Sequence, residues 1–99
     1  MITVREIDWF DARGSKRVGE SHHHVGGRAP LRCEVFLSRD GTIRTRFWSN
    51  GGEVDAMCFE AAGLSPEQLE STKWSDPDAF PGELAARWRD WFTSECTYV

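Results

Sequence analysis

The chain has 99 residues, a net charge of −4, and an apolar set dominated by rings, with five Trp and six Phe. That length holds one domain, 1–99, around one core, and three scattered cysteines (Cys33, Cys58, Cys96) without a CxxC exclude a disulfide framework. No apolar run is long enough to span a bilayer and no leader-like stretch opens the chain, so a cytoplasmic, non-membrane protein is expected.

Charge is unevenly divided. Residues 1–50 hold nine Lys/Arg against six Asp/Glu, and residues 51–99 hold three against ten. Such a division creates a field that steers association, although acidic residues also serve solubility.

In chain order, residues 2–9 predict a strand with Ile2 and Val4 on one face and Ile7 and Trp9 on the other. That phase change implies a bulge or a strand covered on both faces. Residues 11–30, punctuated by Gly14, Gly19, Gly26 and Gly27, predict only a weak strand around 16–24 between two loops. Residues 31–49 alternate with a period of two, which predicts a hairpin. A three-residue loop, Arg39-Asp40-Gly41, places Leu37 opposite Ile43, Cys33 opposite Phe47 and Glu34 opposite Arg46. A two-residue loop would put Leu37 against Arg44 and mix the faces.

Val54, Met57, Cys58, Ala61 and Ala62 are spaced i, i+3, i+4, i+7, i+8, which predicts a helix led by Glu53 and Asp55 and stopped at Gly63, with a strand over 53–59 as the alternative for so short a segment. Ser65-Pro66-Glu67-Gln68 forms a capping box that opens a helix to about Lys73. After Asp76-Pro77 and Phe80-Pro81-Gly82, a last helix over about 81–95 lines up Leu84, Trp88 and Trp91, with Ala85 and Phe92 beside them. Arg87, Arg89 and Asp90 fall on its other side. Strands followed by helices define an α+β fold. The expected architecture is a three- to four-stranded antiparallel sheet from the N-terminal half, covered on one face by two or three C-terminal helices.

Catalytic and metal chemistry find little support. His22 and His24 would point the same way on a strand and could hold zinc with Cys33 or a carboxylate, but no second cluster at ligand spacing supplies the remaining ligands. All three cysteines lie on apolar faces or near the terminus, where a thiol is inert. No nucleophile, base and stabiliser come together. Neither enzymatic activity, a metal nor a cofactor is expected.

Binding remains. Glu67, Glu70, Asp76, Asp78 and Glu83 would form an acidic edge that docks on a protein with a basic surface. The alternative partner is nucleic acid, met by Arg32, Arg44, Arg46 and Trp48 on one face of the hairpin. Against it stands the acidic balance of the whole chain. The turn Gly63-Leu64-Ser65 followed by Leu69 resembles the middle of a helix-turn-helix motif, but Glu67 and Glu70 on the would-be reading helix oppose phosphates. In size and charge alone, the chain resembles toxin-neutralising immunity proteins and phage-encoded anti-defence inhibitors such as anti-CRISPRs. That resemblance implies a small acidic non-enzymatic protein that docks on, and inhibits, another macromolecule.

Overall fold

A computed structural model of the protein describes residues 1–24, 30–49 and 56–96. Strands β1 (Thr3–Ile7), β2 (Lys16–His23), β3 (Leu31–Leu37), β4 (Ile43–Ser49) and β5 (Met57–Ala62) precede helix α1 (Pro66–Ser71), a single 3-10 turn (Pro77–Ala79) and helix α2 (Glu83–Cys96). The five strands form one antiparallel sheet in the order β1-β5-β4-β3-β2.

The fold is therefore α+β, with five strands rather than three or four. The difference arises at 57–62, where a strand replaces the expected helix. β5 lies between β1 and β4, so both of its edges are paired, and both of its faces are covered. Phe59 and Ala61 enter the main core, while Cys58 enters a smaller cluster on the opposite face. Apolar residues on both faces produce consecutive runs that imitate helical spacing, and pairing along two edges overrides that local pattern. Glu53, Val54 and Asp55, the expected first turn, lie outside the described residues.

The β3–β4 hairpin has the register that face matching requires. Leu37 pairs with Ile43, Cys33 with Phe47 and Glu34 with Arg46. Ser38 accepts from the Gly41 N–H (3.1 Å), and its own N–H donates to Thr42 (3.0 Å). Gly41 at φ 85 takes the left-handed position of this three-residue loop. Asp40 binds the Ser38 hydroxyl (2.6 Å) and the Thr42 N–H (3.0 Å). The Ser38 bond, then the Thr42 bonds, hold its carboxyl down at about 2.

Leu31, Cys33 and Val35 of β3, with Ile43 and Phe47 of β4, face α2, which returns Leu84, Ala85, Trp88 and Trp91 into the same core. Trp88 and Trp91 are core residues, as their stripe requires. Phe47 is the hinge of the packing, with ring centroids 5.2 Å from Phe59, 5.2 Å from Trp88 and 5.5 Å from Trp91. α1 carries both halves of its capping box, Gln68 N–H to Ser65 Oγ at 3.1 Å and Ser65 N–H to Gln68 Oε1 at 2.9 Å. It stops at Ser71, short of Lys73, and the Trp74 indole donates to the Leu69 carbonyl at 3.0 Å.

β1 and β2 hold opposite edges, so the chain between Ile7 and Lys16 must cross the sheet. Four interstrand steps span about 19 Å, well within the reach of that segment. The crossing runs over the face away from α2. There Phe10 packs edge-on against Phe36 (5.6 Å between centroids) and closes a small cluster with Cys58, Ile7 and Ala12. This explains the phase change in β1. Val4 faces the helices and Ile7 faces the crossing segment, so no bulge is needed there. A bulge occurs instead in β2, between Arg17 and Gly19.

Candidate functional site

The face away from α2 has no helix over it among the described residues. By alternation it carries Arg5 of β1, Arg17 and Glu20 of β2, Arg32, Glu34 and Phe36 of β3, Arg44, Arg46 and Trp48 of β4, and Glu60 of β5. Cross-strand neighbours of opposite charge bond to one another. Glu60 receives Arg5 (2.9 Å) and Arg44 (3.1 Å) from its two flanking strands. Those two guanidinium groups, Arg5 foremost, keep its carboxyl below the usual carboxylate range. Glu34 receives Arg46 Nη2 (2.8 Å) and the Trp48 indole N–H (2.9 Å) on one oxygen. Glu20 pairs with Arg32 and with Arg17 (3.2 Å), and the Arg32 bond and then His22 lower its pKa. Glu20 and Glu34 are direct cross-strand neighbours, a like-charge pairing that Arg17 relieves by reaching both (3.2 and 3.6 Å).

Five guanidinium groups thus share three carboxylates. Rings cover two of them in turn. The Arg32 guanidinium lies 4.7 Å from the Trp48 centroid, and that of Arg46 lies 5.9, 5.9 and 5.7 Å from Phe10, Phe36 and Trp48. Trp9, 69% exposed, stands on the crossing segment beside this ladder. With Trp48, Arg46 and Ala56 it lines a cleft of about 310 Å³.

Glu34 is only 6% exposed and anchors both Arg46 and Trp48. Hydrogen bonds to charged groups contribute about 1.5–3 kcal/mol. Glu34→Gln, which removes the charge at constant shape, should therefore lower stability by about that amount in urea unfolding. An unchanged midpoint would show that the ladder is only a solvated surface pattern.

Of the hairpin residues singled out from sequence, Arg32, Arg46 and Trp48 come together on this face, and Arg44 turns toward Glu60. This face does not lie beneath the C-terminal helices. Trp9 and the carboxylates Glu20, Glu34 and Glu60 complete it. Glu34 stands opposite Arg46 as the hairpin register requires, whereas sequence reasoning missed the roles of Trp9, Glu20 and Glu60. Glu60 sat inside the expected helix, and Trp9 was read only as a strand residue.

The acidic residues border the helical layer. Glu67, Glu70, Asp76, Asp78 and Glu83 are all exposed. Four of them flank β2. Glu70 shares a groove with Lys16 and Val18, Glu67 and Glu70 line another, and Asp76 and Asp78 act electrostatically on His23. Asp76 also caps the 3-10 turn by accepting from the Asp78 N–H (3.3 Å). Glu83 is set apart. Its neighbour Gly82 lies near Ile2, beside the β1 edge, and its carboxylate meets Arg87 at 3.4 Å. The single acidic edge expected from sequence is thus divided, four residues along β2 and one across the sheet.

The histidines part company on the two faces of β2. His22 bonds Glu20 (3.0 Å) on the ladder face. His23 packs on Trp88 (4.6 Å) and Phe92 (5.7 Å) and meets Ser21 Oγ at 2.8 Å. Burial lowers its pKa despite Asp78 and Asp76, which favours the neutral ring. β2 ends at His23, so the strand that would align His22 with His24 stops one residue short. Among the described residues no group of three or more His, Cys, Asp or Glu could hold a metal ion. The Cys33 and Cys58 thiols are buried, and burial raises the pKa of both, so neither is primed as a thiolate. No helix among the described residues is long and apolar enough to cross a membrane.

Comparison with known proteins returns no kin. No family model matches the chain, and no curated protein or solved structure matches it significantly. The functional reading rests on the geometry.

Proposed function

We propose that this is a non-enzymatic docking protein that engages a basic surface of another protein through the carboxylates along β2. One observation carries the reading. The guanidinium groups of the ladder face are bonded to carboxylates of the same face. Glu67, Glu70, Asp76 and Asp78 are exposed and have no ion pair among the described residues. The field that the protein presents to a partner is then the unneutralised acidic one, in keeping with its net charge of −4. On a partner whose basic surface holds phosphates, such occupancy amounts to inhibition.

Nucleic acid is the second reading, favoured by the exposed Trp9 and by the excess of guanidinium over carboxylate on the uncovered face. Fluorescent decalysine and a twelve-residue oligothymidylate, titrated by polarisation at two salt concentrations, separate the two readings. Glu67→Lys with Glu70→Lys should weaken decalysine binding at least about fivefold at low salt, and less at high salt. The control, Glu6→Lys with Asp8→Lys, makes the same net change at other exposed positions. If the control weakens binding equally, only net charge matters and the docking surface is lost as an explanation. Tight oligothymidylate binding that Trp9→Ala removes would establish the second reading in its place.

A further inference from the structure

α2 has a flank that faces β5. Arg87, Asp90 and Ser94 on that flank overhang a cleft of about 260 Å³, whose other walls are Met57, Phe59, Trp91 and Glu95. Phe59 and Trp91 are largely buried, and Met57 is partly so, so the floor is apolar and aromatic. Part of the cleft already holds a cation. The Arg87 guanidinium sits 5.7 Å from the Phe59 centroid and 3.4 Å from the Glu83 carboxylate. An aromatic face below and a carboxylate at the lip are the two elements that hold an ammonium or guanidinium on an amphipathic stem. Next along the helix the same pair recurs: Trp91 and Met57 below, and at the lip Asp90, which has no ion pair among the described residues.

We propose that this cleft receives one long cationic side chain, a Lys or Arg of the partner. Its methylenes lie along Met57 and Trp91, and its head group reaches Asp90 beside Glu95. Charge complementarity fixes the occupant. An aliphatic side chain would leave the Asp90 carboxylate over an apolar group, and an acidic one would face it directly. A thioether such as that of Met57 adapts to the stem. The inference rests on the basic-partner reading and sharpens it. It adds an anchoring pocket on the β5 side of the sheet, with β4 and β3 between it and the carboxylates along β2.

Two small probes test it by NMR, with the Trp91 indole N–H as reporter: Nα-acetyl-lysine methylamide and its norleucine counterpart, which has an apolar chain of matching length and no ammonium. The lysine probe should shift the Trp91 resonance saturably at millimolar concentration, and norleucine should not. Asp90→Asn changes an exposed residue and leaves the core alone, so it should keep the fold and weaken the lysine effect about two- to fivefold. Asp90→Lys should abolish it. Equal shifts from both probes, or no response to Asp90→Lys, would overturn the cleft as a cation pocket. The broader reading fails separately. If the Trp91 response stands while the Glu67 and Glu70 reversal leaves decalysine binding unchanged, the pocket survives and the acidic border does not.

Discussion

Trp88→Ala should lower stability by about 3–5 kcal/mol. The side chain is 3% exposed and sits where the helix meets the sheet. Its ring packs edge-on against Phe47 (5.2 Å), stacks on Phe92 (5.3 Å) and meets Trp91 (5.7 Å) and His23 (4.6 Å). Removing it forfeits the transfer free energy of the indole and leaves a cavity that four rings cannot refill from fixed backbones. Small domains have total stabilities of about 5–15 kcal/mol, so the variant forfeits a large share of the whole. Trp88→Phe, which keeps most of the contact, should remain folded and show a smaller loss. Urea unfolding of both variants gives the comparison, with unchanged m-values as the check that only stability moved. Trp9→Ala is the reference, since the exposed ring should cost no more than about 0.5 kcal/mol. A Trp88→Ala midpoint equal to that of Trp9→Ala would mean that α2 is not seated on the sheet.

Much of the fold was readable because its causes are local. The hairpin at 31–49 was legible from alternation and one glycine. A slip of a single residue would bury Arg44 or Arg46 against α2, so the register had one solution. α1 was legible from Ser65, Pro66 and Gln68, whose bonds are made within four residues. The stripe of Leu84, Trp88 and Trp91 marked the buried side of α2. β5 was legible from its own residues only as the alternative to a helix. Its helical spacing is a by-product of two covered faces, and only the partners of Glu60, which are Arg5 from one side and Arg44 from the other, reveal the strand. Those partners are far away in sequence.

The same distinction governs the site. Arg32, Arg46 and Trp48 share a face through parity within one hairpin, which sequence displays. The pairing of Glu34 with Arg46 lies within that hairpin and was readable with it. The neutralisation of Arg32 by Glu20 depends instead on β2, whose bulge after Arg17 shifts the phase in a segment with weak alternation. The prominence of Trp9 depends on the route of the crossing segment, which follows from strand order alone. Glu83 appeared contiguous with Asp76 and Asp78 in sequence, yet the chain between them carries it to the other side of the helical layer. Charge patterns along a sequence become surfaces only after topology has been imposed.

Gly19→Ala should be more disruptive than its single added methyl suggests. A Cβ at Gly19 would lie 2.1 Å from the Trp74 carbonyl oxygen, 2.3 Å from its carbon and 2.6 Å from Trp74 Cβ. Two of those three atoms are backbone, so no rotamer change gives relief. Trp74 itself is held in place. Its ring is buried against Phe80 (5.5 Å) and its indole is bonded to Leu69 (3.0 Å). Either β2 bends away from β3 or the segment from Thr72 to Asp76 lifts off the sheet. Overpacking in a rigid site costs about 1–3 kcal/mol when side chains can yield, and here the loss should exceed that range. Gly14→Ala separates contact from conformation. Gly14 has a left-handed backbone at φ 80 but nothing within 4 Å of the added carbon, so it should lose only the conformational cost of about 1–2 kcal/mol. The ordering of the two midpoints is the test. If Gly19→Ala is no worse than Gly14→Ala, the Trp74 segment is not packed on β2. The carboxylates of Asp76 and Asp78, which that contact sets along the strand, would then have no fixed place in a docking surface.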